Sequence, residues 1–90
     1  MADHKSALKR IRSSEKKRQR NRVVRSRTRN EVKKARVALD GGDVNNAVQA
    51  TREAIRELDK AVTKGVLHRN NAARRKSRLM KRLAQLQAQR

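Results

Sequence analysis

Aliphatic residues are sparse along this chain, and most of them fall into three stripes of helical period. Val24, Thr28, Val32, Ala35 and Leu39 are spaced three and four apart, which places them on one face of an α-helix at 100° per residue. Val44, Val48, Thr51, Ile55, Leu58 and Val62 form a second stripe, flanked by Ala47, Ala54 and Ala61 at seven-residue intervals. Such alternating spacing suits close antiparallel helix packing. Ala72, Leu79, Leu83 and Leu86 form the third stripe. Asp40-Gly41-Gly42-Asp43 reads as a tight reversal, with Asp43 placed to cap the following helix, and Gly65 as the left-handed end of the second helix. The pattern predicts helices from about His4 to Leu39, from Val44 to about Lys64, and from about Leu67 to Gln87. Links as short as 40–43 and 65–67 require antiparallel neighbours. The expected fold is therefore all-α, an antiparallel three-helix bundle within a single domain spanning residues 1–90.

The first segment has no glycine or proline to interrupt it, and Asp3 or Ser6 could cap its start. Only its second half has a face to bury. Its first half offers Ala7, Leu8 and Ile11, then no aliphatic residue until Val23. Residues 1–22 are thus expected to extend the first helix beyond the bundle as a basic arm, with 23–90 forming the bundle itself. Like-charge crowding should fray that arm until a polyanion screens it.

Composition sharpens the picture. Seventeen of 90 residues are Leu, Ile or Val, there is no aromatic residue and no cysteine, and the formal net charge is +19. So few aliphatics with so high a charge approach the composition of disordered chains. Twelve alanines and the absence of proline pull towards helix instead. Without cysteine, neither a disulfide nor a thiolate metal site can staple the fold. No apolar run follows the first basic residues, so no secretory signal is expected and the cytosol is the expected location. No stretch reaches the roughly 18 apolar residues of a spanning helix.

The charge is unevenly distributed: +12 over residues 1–36, −2 over 37–63 and +9 over 64–90, where no acid occurs. A solvated face ordinarily mixes signs, so the two basic regions point to a polyanionic partner. Arg outnumbers Lys, and its planar fork matches phosphate. Interleaved Ser, Asn and Thr, as in N-R-V-V-R-S-R-T-R-N, suit phosphate and 2′-hydroxyl hydrogen bonds. Without aromatic rings, bases cannot be read by stacking on side chains, which leaves backbone and folded shape. The candidate contacts in the first helix are Lys5, Lys9, Arg10, Arg12, Lys16, Lys17, Arg18, Arg20, Arg22, Arg25, Arg27 and Arg29. In the third helix Asn70, Arg74, Arg78 and Lys81 lie opposite the apolar stripe, with Arg75 and Arg82 on its border. Interfacial membrane helices carry Trp, Phe or dense Leu, and this chain does not, so no membrane partner is expected. His4 and His68 have no metal-ligand spacing and no phosphate loop or catalytic constellation occurs. Enzyme activity, a cofactor, a metal and a small-molecule substrate are therefore not expected. The charges flanking Glu53, Glu57 and Asp59 read as ordinary surface pairing. Composition alone also permits a DNA-compacting nucleoid protein, or an adaptor for an acidic protein.

Four stretches narrow these alternatives. K-S-A-L-K-R at 5–10, S-E-K-K-R at 14–18, the G-D before the second helix, and K-G-V-L-H-R-N-N-A-A-R-R-K-S-R-L at 64–79 together resemble the bacterial small-subunit ribosomal protein S-twenty family. The similarity runs in order along nearly the whole chain, and the last motif is specific. It implies a three-helix bundle with an extended first helix, present as a monomer within the ribonucleoprotein and located in cytoplasmic ribosomes. It further implies contact with the 5′ domain of small-subunit ribosomal RNA and with the long 3′ minor-domain helix, neighbouring ribosomal proteins being further partners. By match to the motif, Lys64, His68, Arg69, Asn70, Arg74, Arg75, Lys76, Ser77 and Arg78 become RNA-facing candidates.

Overall fold

The computed structural model describes the backbone of residues 2–89 and the side chains of residues 6–89. Three helices follow one another: α1 (Ala2–Gly41), α2 (Val44–Thr63) and α3 (Arg69–Ala88). All three lie within an envelope of 70 × 21 × 13 Å. The long dimension is set by α1, whose 40 residues span about 60 Å at 1.5 Å per residue. It begins two residues earlier than the sequence suggested. Asp3 and Ser6 thus lie inside the helix rather than at its cap.

The reversals follow from their residues. Gly42 takes φ +79° and ends α1, and Asp43 caps α2, its side chain accepting the Asn46 N–H at 3.5 Å. At the far end of α2, Gly65 takes φ +73°. Its N–H donates to the Val62 carbonyl at 3.0 Å and the Val66 N–H donates to the Ala61 carbonyl at 2.9 Å. This pair of bonds is a Schellman cap, and it satisfies carbonyls that would otherwise be orphaned at the helix end.

α2 is the central helix: α1 packs along it most extensively, α3 less so, and α1 and α3 touch least. Of the stripes on α1 and α3, Thr28, Val32, Ala35, Leu39, Ala72 and Leu79 are buried, while Val24, Leu83 and Leu86 are half-buried. On α2 the weighting differs. The fully buried line is Ala47, Thr51, Ala54, Leu58 and Ala61, while Val44, Val48, Ile55 and Val62 are half-buried. Small side chains at seven-residue intervals let a helix flanked on two sides approach its neighbours closely. The larger ones then fill the margins.

Burial fades towards the start of α1. Every residue from Ser6 to Arg20 is exposed, and the first half-buried positions are Asn21 and Val24. Leu8 and Ile11 stay about half exposed and join no core.

Two threonines sit in the apolar interior, Thr28 and Thr51, and neither hydroxyl has a hydrogen-bond partner. An unpaired buried hydroxyl costs about 1–3 kcal/mol, and Val has the same shape and a similar helix propensity. Thr51→Val should therefore raise the thermal midpoint without altering the fold. A lowered midpoint would show that the hydroxyl contributes a bond in solution.

Candidate nucleic-acid interface

The outer face of α3 comes directly from its register. With Ala72 and Leu79 turned inward, Asn70, Arg74, Ser77, Arg78 and Lys81 are all exposed on the solvent side. Arg75 and Lys76 are half-buried at the margin, and Arg69 is exposed at the helix start. His68 is the N-cap of α3: its Nδ1 accepts the Asn70 N–H at 3.1 Å. The His68 ring is otherwise exposed to solvent. The first turn of α3 contains no acid and begins with Arg69. Cations at the positive end of the helix dipole are unfavourable in isolation. An anion placed there relieves the cost.

Two of the α3 candidates already have partners within the chain. Lys76 Nζ lies 2.8 Å from Asp59 Oδ1, and Arg82 pairs with Asp40. Asp59 therefore ties α2 to α3 rather than joining a surface pair along its own helix, and Asp40 ties the end of α1 to α3. Of the short-range pairings expected along α2, Lys60–Glu57 forms, at a loose 3.9 Å. Such pairs contribute about 0–1 kcal/mol, which is too little to hold Lys76 or Arg82 against a polyphosphate. The rotation of α3, and so which of its cations face outward, is set by the buried Ala72 and Leu79, and both ties are compatible with it.

On α1 the candidates Lys9, Arg10, Arg12, Lys16, Lys17, Arg18, Arg20, Arg22, Arg25, Arg27 and Arg29 are all exposed. The side chain of Lys5 lies outside the described ones. Over 6–20 the cations surround the helix on every side, with Glu15 the only acid. From Arg22 to Arg29 they are confined to the faces not covered by α2. The candidate cations thus fall into two groups, an uncovered rod at the start of α1 and a strip on α3, and Lys64 stands at the α2–α3 corner. Sequence reasoning gave Lys60 no role, yet the fold brings it to the same corner. Its spacing of four from Lys64 was the available signal.

Among the described residues, no helix is long and apolar enough to cross a membrane, and no three His, Cys, Asp or Glu residues come together as metal ligands.

Comparison with known proteins assigns the family. The family model described as ribosomal protein S20 matches residues 2–84. The chain is 50% identical over 88 residues to a small ribosomal subunit protein bS20 from Streptomyces griseus, covering 98% of this chain and all of that protein. It is 52% identical to the bS20 of Thermobifida fusca, covering 97% of this chain and 95% of the relative. A third bS20, from Corynebacterium efficiens, is 54% identical over 79 residues, covering 88% and 91%. The chain belongs to the ribosomal protein S20 family, whose members are structural proteins and not enzymes.

Proposed function

We propose that this chain is a structural component of the small ribosomal subunit that binds directly to small-subunit ribosomal RNA and stabilises its folded arrangement. The RNA segments are the 5′ domain and the long 3′ minor-domain helix, and the protein acts as a monomer within the ribonucleoprotein, in cytoplasmic ribosomes. The observation that carries this reading is the exposed cation strip of α3 together with an equally basic, uncovered arm at the start of α1. Two cationic helices joined through one bundle can neutralise phosphates where two RNA segments approach each other. With no aromatic residue to stack on bases, the chain is suited to recognising backbone and shape.

Sedimentation tests the reading. The protein should travel with small subunits on a density gradient and remain with them through a moderate-salt wash. Recovery mainly with DNA, or free of nucleic acid, would reject it.

A further inference from the structure

The core-facing stripe of α1 does not stop where the bundle stops. Lys17, Asn21, Val24, Thr28, Val32, Ala35 and Leu39 occupy a single line along the helix at 100° per residue. From Val24 onward this line packs against the bundle. Beyond it α2 has ended at Thr63, the chain turns away towards α3, and the line becomes polar and cationic. A cleft opens at this junction, walled by Lys16, Lys17 and Arg20 of α1 on one side and by Lys60 of α2 and its C-cap residue Lys64 on the other, with Arg27 also lining it. Val23, Val24 and Val66 add apolar surface. Glu57 is the one acid among the lining residues, and it is loosely paired with Lys60. The carbonyls of Lys60, Ala61 and Val62 at this corner already accept bonds from the capping turn, which lessens their repulsion of an anion.

We infer that this cleft holds one strand of RNA backbone, gripped between the arm and the end of α2. The inference rests on the RNA-binding reading and adds to it a particular site. Cations from two elements converge there with a single acid among them, a costly arrangement in the free protein that phosphates would relieve. The cleft, of about 1160 Å³, is lined from two elements and partly open to solvent, so a polymer can pass through it. The apolar residues offer contact to ribose between phosphates. A strand seated there would take the place that α2 occupies further along α1, which also fixes where the arm leaves the bundle.

The test compares two double variants of the full chain that each remove two positive charges: Lys60→Gln with Lys64→Gln in the cleft, and Arg52→Gln with Arg56→Gln on α2 outside it. Each binds deproteinised small-subunit ribosomal RNA over a range of salt concentrations, and thermal melts confirm that both fold. The cleft pair should flatten the slope of log affinity against log salt by about 1.5, since each phosphate that is no longer neutralised removes roughly 0.7–0.9. The outer pair should leave the slope near that of the parent. A role confined to complementing the α2 dipole would lower the melting point and leave the slope alone. Equal slopes for the two variants would overturn the cleft as a strand site. Failure of the parent chain to bind the RNA at all would instead reject the proposed function.

Discussion

Leu58→Ala should sharply lower the thermal midpoint and bring the bundle close to its unfolding threshold. Six of the ten buried apolar side chains among the described residues are alanines, so the few larger ones carry most of the burial, and Leu58 is fully enclosed in the central helix. Truncating a buried leucine costs about 2–5 kcal/mol, against a total stability of about 5–15 kcal/mol for an ordinary domain. This bundle is small and its core thin, placing it at the low end of that range. Arg78→Ala, on the exposed strip of α3, should change stability by no more than about 0.5 kcal/mol and yet weaken RNA binding. Thermal melts and binding isotherms for the two variants separate scaffold from surface. Were both to act mainly through stability, the outer face of α3 would not be the binding strip.

The second large effect concerns the arm. Nine Lys or Arg lie between Lys5 and Arg22 with Glu15 the sole acid, and residues 6–20 make no buried contact. The helical arm therefore has only local hydrogen bonds to set against cation repulsion, which makes it the least stable part of α1. Phosphates along it would screen the repulsion and release counterions together. Amide exchange over residues 6–20 should be fast in the free protein and slow by at least about tenfold on RNA, with exchange in the bundle much less affected. Strong protection of the arm in the free protein at low salt would show an autonomous helix and remove coupled folding from the mechanism. The ordering cost would lower affinity for each phosphate engaged while allowing the arm to reach RNA well beyond the bundle.

Much of this was legible in the sequence because period, glycine and charge are local signals. The reversal at Gly42, the Asp43 cap and the turn at Gly65 follow from residue type, and the stripes on α1 and α3 turn inward, with Val24, Leu83 and Leu86 half-buried at their ends. Other features were not legible because they depend on which helices meet. A helix wedged between two neighbours buries its small residues most completely, so Ala47, Ala54 and Ala61 displace Val44, Val48 and Ile55 from the centre of the core. The partners of Asp59 and Asp40 lie on α3, 17 and 42 residues away, beyond the reach of any helical-spacing rule. The cleft depends on the same long-range geometry: Lys60 looks like half of a surface pair until α1 is laid beside it. The start of α1 differs from the expected one because an alanine followed by polar residues continues a helix as readily as it begins one.

The central claim is that these cations recognise small-subunit ribosomal RNA rather than polyanions in general. The most direct measurement crosslinks the protein to nucleic acid in cells, washes the complexes at high salt and sequences what remains. The account predicts that reads concentrate in the 5′ domain and the long 3′ minor-domain helix of the small-subunit RNA, with crosslinks from both the arm and α3. Reads spread over chromosomal DNA, or over RNAs in proportion to their abundance, would contradict it.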